Sequence, residues 1–290
     1  ELIQKDKVDV WVSQIEYADD CTPIMAADTE DNLQKASDRM LAGYNCFYSA
    51  NGLKLNESKC KLLVIRPGKK VKTLTCAGQD EVDHLRLLGL YIDNKLKYDV
   101  HTNVVRGRIK GKLEALERVQ GKASLKTMTE CTVSLIHSSI EFCAELYLRD
   151  PTNQKRIQKM LNAAMRMLLD QKMGDSCTDM MMTLNWLNVA NMYRWVCIRT
   201  LRRMKNSPRM MPETFSKLTL NEDPERNLRY NSLKIDWKVN TNWARESYIS
   251  SAVGIYNALG LHGRLFADKD DARDSIKSSI IGFYGNQNIK

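Results

Sequence analysis

Two carboxylates stand side by side at Asp19 and Asp20, directly after Tyr17 and Ala18. Like charges this close disfavour joint ionisation and raise one of the two pKa values unless positive charge compensates, and a divalent cation compensates most strongly. A metal site is one reading. An ordinary turn, in which the Asp side chains bond nearby backbone, is the other. Further along, Lys59 ends the turn Asn56-Glu57-Ser58-Lys59, and four cations, Arg106, Arg108, Lys110 and Lys112, alternate with Gly107, Ile109 and Gly111. The lysine puts a positive charge at the end of that turn, and cations along one helix can follow a phosphate backbone. Each also has a plainer reading, an exposed turn lysine and a solvated helix face whose alternating charges spread around the helix.

Elements with recognisable signals must position these groups. Val8, Val10 and Val12 recur at every second position, Ile15 and Tyr17 lead into the Asp pair, and Cys21 to Ala27 follow as a mostly small and apolar run, which predicts a hairpin. Asp28, Thr29 and Asp31 supply helix-start chemistry. Leu33, Ala36, Met40, Tyr44 and Phe47 then form one apolar stripe of a helix that Asn51-Gly52 ends. Leu53 and Leu55 predict a short strand, and Leu62, Leu63, Val64 and Ile65 a second, mostly buried one. His84 to Ile92 predicts a strand pair interrupted at Gly89, where glycine would mark the close approach of another backbone. Val105, Ile109, Leu113 and Leu116 give the first basic helix an apolar face. A second basic helix, Arg194 to Lys205, carries Trp195, Ile198, Leu201 and Met204 and is expected to pack with one wet face.

In this order, the Tyr-Ala-Asp-Asp hairpin, a helix of about twenty residues, Gly52 to Lys59 (Gly-Leu-Lys-Leu-Asn-Glu-Ser-Lys), a strand, and Leu87 to Asp93 (Leu-Leu-Gly-Leu-Tyr-Ile-Asp) resemble the palm of a reverse transcriptase, most of all the non-LTR, LINE-type retrotransposon kind. The resemblance extends past the palm. Lys95 to Val119 is similar to the start of the family's thumb, Leu135 to Tyr147 and Ile157 to Leu169 to its next two helices, and Leu184-Asn185-Trp186-Leu187 to a Gly-Trp-Leu segment with Asn185 in place of glycine. Arg245 to Gly260 is similar to a terminal segment, with Tyr256 replacing a tryptophan and Gly260 a proline.

What the resemblance implies is RNA-directed DNA polymerisation by two-metal nucleotidyl transfer. Two divalent ions, magnesium in the family, sit roughly 3.5 to 4 Å apart and act on the primer hydroxyl and the pyrophosphate. Asp19 would be the firm metal ligand and Asp20 a supporting one. Tyr17 would pack under the primer end, Ala18 would let substrate approach, and Lys59 would face the pyrophosphate. Leu88, Gly89, Leu90 and Tyr91 would press on the primer strand, and Arg106, Arg108, Lys110 and Lys112 would track nucleic acid. RNA template, DNA primer or RNA–DNA duplex, and dNTP in the intact parent, are the implied partners. Sixteen residues precede Tyr17, so the family's first Asp motif, its second motif and the fingers are expected to be missing, and the isolated chain is expected not to polymerise. Self-association through the exposed palm edge is a further expectation.

Composition fits an intracellular, soluble nucleic-acid binder of nucleus or cytoplasm. The net charge is +9 and the isoelectric point about 9.1; residues 66–126 alone hold 14 Lys/Arg against 7 Asp/Glu, a surplus of 7. Eight cysteines form no Cys-x-x-Cys, their nearest spacing being the twelve residues from Cys131 to Cys143, so they are expected to be reduced core thiols rather than a metal framework. No leader pattern occurs, and no apolar run reaches the roughly 18 residues a bilayer needs. No Gly-rich phosphate loop, Ser/His/Asp arrangement or fixed repeat is visible. The fold class expected is α+β: a partial palm of antiparallel strands packed on a helix over 1–98, a helical thumb over 99–206 and a helical extension over 207–290, the last boundary marked by Asn206, Ser207, Pro208 and Pro212. The alternatives are a non-catalytic nucleic-acid-binding protein derived from a retroelement thumb and an inert relic.

Overall fold

A computed structural model of the chain describes residues 10–18, 20–66, 68, 71–206, 218–221, 232–235, 247–259 and 271–286. Helices alternate with small two-stranded antiparallel sheets, and the chain divides into two compact units, Glu1–Val100 and His101–Lys290. The expected break at Asn206 to Pro212 falls largely outside the described residues.

In the first unit, strands β1 (Val10–Tyr17) and β2 (Asp20–Ala27) pair in antiparallel register from Val10↔Ala27 to Tyr17↔Asp20. Helix α1 (Glu30–Ala50) packs on one face of this hairpin. Its start follows the sequence signal: the Thr29 side chain accepts from the Asn32 amide at 3.2 Å, with Glu30 and Asp31 in the first turn. The packing is partly polar. The Tyr44 hydroxyl donates to Gln14 Oε1 at 2.7 Å and accepts from the Cys21 thiol at 3.1 Å. The apolar stripe is narrower than expected, because Ala36 and Ser37 are buried while Phe47 is exposed.

Two expected strands do not form. Leu53 and Leu55 lie in coil that leads into a single 3₁₀ turn, Glu57–Lys59, after Gly52 takes φ +71° and the Leu53 amide turns back to the Tyr48 carbonyl at 2.8 Å. Leu62 to Ile65 contribute one parallel bridge, Leu63↔Val82. On the segment that follows, 71–75, side chains compete for the backbone hydrogen bonds. Glu30 accepts from the Val71 and Lys72 amides, Gln34 bonds both the amide and the carbonyl of Thr75, and Glu81 accepts from the Leu74 amide at 3.2 Å. Arg66 joins these acceptors, bonding Glu30, both oxygens of Glu81 at 3.0 and 2.7 Å, and the Lys72 carbonyl. Side chains thereby take partners that a ladder would have used. Strands β3 (Thr75–Cys76) and β4 (Gln79–Asp80) are correspondingly short, and Leu74 beside them is fully buried.

Strands β5 (His84–Leu87) and β6 (Leu90–Asp93) form the expected pair. Gly89 lies between the strands and not within one; with Leu88 it makes the turn, at φ +93° and +47°. Two consecutive positive φ angles give a turn whose twist matches the strands it joins.

The second unit is helical. It comprises α2 (Asp99–Glu117, beginning just before it), α3 (Leu125–Thr132), a π-helical turn (Val133–His137), α4 (Ser138–Glu141), α5 (Ala144–Tyr147), α6 (Pro151–Leu169), α7 (Cys177–Leu184), α8 (Val189–Asn206), the hairpin β7 (Leu218–Asn221) and β8 (Ser232–Ile235), α9 (Tyr248–Ala258) and α10 (Asp271–Tyr284). The expected continuous helix over Leu135 to Tyr147 is broken. Ser139 Oγ and Lys112 Nζ both bond the Leu135 carbonyl, at 2.7 and 2.9 Å, and Ser138 Oγ bonds Ser134 O, so hydroxyls and an ammonium occupy carbonyls of the α-helical ladder. Cys143 then adopts φ +54° between α4 and α5. The π-turn, Val133–His137, contains the Ser134 and Leu135 carbonyls, and α4 separates it from the break at Cys143.

Helix α8 is the hub, touching α4, α5, α6, α9 and α10. Trp195, Ile198, Leu201 and Met204 are buried as expected, and its wet side is tied down: Arg199 pairs with Glu141 at 2.6 Å and Arg194 stacks on the Tyr284 ring at 3.9 Å. Its first amide, from Val189, is capped by Gln158 Oε1 at 2.8 Å. The cysteine expectation holds for Cys177 and Cys197, which are buried; Cys46 and Cys131 are exposed, and all eight thiols are free.

Candidate functional site

Tyr17 and Asp20 face each other across the end of the β1–β2 hairpin. Ala18 occupies the first turn position at φ +54°, a left-handed conformation that costs a residue with a Cβ about 1 to 2 kcal/mol. Asp19 lies outside the described residues. Asp20 and Tyr17 are both exposed, on the hairpin face away from α1. Among the described residues no group of three or more His, Cys, Asp or Glu stands close enough to hold a metal ion. What they offer at this turn is one exposed carboxylate, which does not make up a two-metal site, since such a site needs several oxygen ligands converging on each ion.

Lys59 closes the 3₁₀ turn and is exposed. Asn45 Nδ2 donates to Glu57 at 3.3 Å, tying that turn to α1 one residue beyond Tyr44, the contact of the hairpin. The two predicted parts are thus anchored at neighbouring α1 residues on different sides of the helix. Leu88 and Gly89 lie at the tip of the β5–β6 hairpin, with Leu88 51% exposed. Leu90 is a correction: at 8% exposure it belongs to the core and cannot press on a strand of nucleic acid. Tyr91 is half-buried, its ring centroid 6.4 Å from that of His84.

The cations of α2 do not form one row. Val105, Ile109, Leu113 and Leu116 are buried, as the spacing predicts. At 100° per residue, Arg106 and Lys110 then fall on one flank and Arg108 and Lys112 on the other. Lys112 is engaged inside the protein, bonding the Leu135 carbonyl and Ser139 Oγ at 2.5 Å. Arg106 is half-buried, with its Nε enclosed and without a hydrogen-bond partner among the described residues. Lys110, near Glu114 at 3.9 Å, and Arg108 are exposed. Burial lowers the pKa of His101 to about 4, and the charge of Arg108 adds to that shift.

Sequence reasoning missed the face that Tyr17 and Asp20 share. Trp11, Ile15 and Ile24 lie on it and are exposed. The signal was present: Trp11 and Ile15 have the opposite strand parity to Val10 and Val12, so both faces of β1 are apolar. Asn185 takes φ +52° at the end of α7, a conformation Asn tolerates well.

Comparison of the chain with protein-family models, with curated proteins and with solved structures returns no match. Among the described residues no helix is long and apolar enough to cross a membrane.

Proposed function

We propose that the chain is the carboxyl-terminal portion of a non-LTR reverse transcriptase: palm from the Tyr-Ala-Asp-Asp turn onward over 1–98, thumb over 99–206 and extension over 207–290. The observation that carries this reading is the order of parts. A two-residue hairpin bears Tyr17 and Asp20 at its end, a capped 21-residue helix follows, and a Leu88-Gly89 hairpin precedes a long helix with a basic solvent side. In the intact parent, Asp19 and Asp20 contribute to the magnesium site and Lys59 serves the pyrophosphate side. Among the described residues no ligand set for two ions converges, and the chain taken alone is expected not to add nucleotides.

Primer extension on an RNA template with magnesium tests this. No incorporation is expected from the chain alone. Incorporation abolished by Asp19→Asn would overturn the incompetence and keep the family, whereas incorporation indifferent to Asp19→Asn and Asp20→Asn would overturn both.

A second reading, a non-catalytic nucleic-acid binder, is favoured by the exposed Arg108 and Lys110 opposite a fully packed apolar face. It requires affinity for RNA–DNA duplex that falls steeply with salt, by about 0.9 in log slope per phosphate contact, and that is unchanged in the Asp19→Asn, Asp20→Asn double variant.

A further inference from the structure

The β1–β2 hairpin has two outer edges, and they are not equivalent. The residue pair that closes a two-residue turn is hydrogen-bonded, and hydrogen-bonded pairs then alternate along an antiparallel ladder. Given Tyr17↔Asp20, the bonded pairs include Ile15↔Thr22, Ser13↔Ile24 and Trp11↔Ala26. The backbone groups of Val12, Gln14 and Glu16 therefore point outward from β1, and those of Cys21, Pro23 and Met25 outward from β2. Pro23 has no N–H, so the β2 edge is interrupted at its middle, as proteins commonly arrange on edges they protect. The β1 edge has no such break. Its eight residues, Val-Trp-Val-Ser-Gln-Ile-Glu-Tyr, contain no proline or lysine and one charge, Glu16. Among the described residues β1 pairs with β2 alone.

We infer that β1 is a self-pairing edge, and that two copies of this chain join β1 to β1 antiparallel in a four-stranded sheet ordered β2–β1–β1–β2. The outward groups fix the parity of the pairing. A two-fold axis at Gln14 places Gln14 opposite Gln14 and Val12 opposite Glu16 in hydrogen-bonded pairs. Trp11 of one copy then meets Tyr17 of the other in the closer, non-hydrogen-bonded pairs, and Ser13 meets Ile15. Each Trp11–Tyr17 contact is an aromatic cross-strand pair, and symmetry supplies it twice. These are the side chains the single chain leaves outside, Trp11 at 58%, Ile15 at 48% and Tyr17 at 65% exposure. No like charges oppose one another, since each Glu16 faces a valine. An isologous pair closes on itself, and Pro23 stops extension at the outer edges, so the product is a dimer and not a fibre. The arrangement rests on the hairpin alone and stands whether or not the chain descends from a polymerase.

Sedimentation equilibrium of the full chain at micromolar concentration, at moderate salt, tests it. The expected mass approaches twice that of one chain. Gln14→Pro, which removes an outward N–H from the centre of the β1 edge, is expected to give monomer with unchanged far-ultraviolet circular dichroism. Trp11→Lys, which leaves the backbone untouched, is expected to weaken association about tenfold. Pro23→Val opens the second edge and is expected to give species larger than dimer. A monomer at all concentrations overturns the inference, and so does a dimer whose dissociation constant is the same in wild type and Trp11→Lys.

Discussion

The two units differ in what holds them together. Among the described residues, the first unit buries four apolar side chains, Ala36, Val64, Leu74 and Leu90, and fastens its connecting segments with the Arg66, Glu30 and Glu81 cluster. The second buries apolar side chains from nearly every helix around α8. Removal of apolar surface from water is non-directional and tolerates an irregular path of the chain, so α3, the π-turn, α4 and α5 can break direction and still pack. Directional polar fastening tolerates little, because each carboxylate must meet particular amides. A two-stranded sheet is also marginal by itself, and the outward face of β1–β2 remains apolar.

The largest test of this contrast is truncation in each core. Ile198→Ala or Leu161→Ala removes a fully buried side chain of the second unit and is expected to lower unfolding free energy by about 2 to 5 kcal/mol. Leu74→Ala should disturb hydrogen exchange locally, around Val64 and Leu74, and leave the α8 amides protected. If both act on the same cooperative transition with equal effect, the contrast between the units fails.

Acid should separate them next. Burial, with a smaller effect of Arg108 on one and Lys277 on the other, lowers His101 and His137 from 6.5 to about 4. A depressed folded pKa means that the neutral form is favoured by folding. That stability is fully present above pH 6.5 and is lost as pH falls towards 4, by at most about 1.4 kcal/mol per pH unit for each histidine. The His137 ring lies 4.4 Å from Trp186, which makes tryptophan fluorescence a local reporter. In the first unit, the hydrogen bond from Arg66 and the Lys72 and Val71 amides hold Glu30 below its usual value of 4.5, so its fastening persists above that pH and weakens only in stronger acid. Urea midpoints at pH 7, 6 and 5 should therefore fall for the second unit first. His137→Leu should flatten that dependence.

Smaller in size is the cap of α1: Thr29→Ala is expected to cost about 1 kcal/mol, read as faster exchange of the Asn32 and Leu33 amides. Smallest in stability, and most useful for binding, is the α2 series. Arg108→Ala and Lys110→Ala should each lower the salt slope of nucleic-acid binding by about one. Lys112→Met should leave that slope unchanged and loosen the turn around Leu135 instead. Equal loss from all four cations would restore the single row that the structure does not show.

The parts legible in the sequence were those whose signals are local. Alternation and an adjacent acidic turn marked the first hairpin, Thr29 with Asp31 marked the start of α1, and spacing marked the buried face of α2 and of α8. The irregular path over 71–75 was illegible because two of the side chains that bond its backbone, Glu30 and Gln34, come from a helix some forty residues earlier. The broken helix before Tyr147 was illegible for the same reason, since Lys112 reaches its carbonyl from another helix. In the candidate site, sequence placed Tyr17 and Asp20 at a turn, but it could not say that Leu90 would be core or that Lys112 would be occupied.

By itself, the sequence determined periodicity, capping and charge, because these depend on neighbours within a few residues along the chain. Only the tertiary structure decided which cations of α2 remain free for a ligand, which backbone groups side chains would take, and that the second apolar face of β1 would be exposed among the described residues. Those outcomes turn on contacts between residues far apart in sequence, where burial and hydrogen-bond competition are settled by what arrives from elsewhere in the fold.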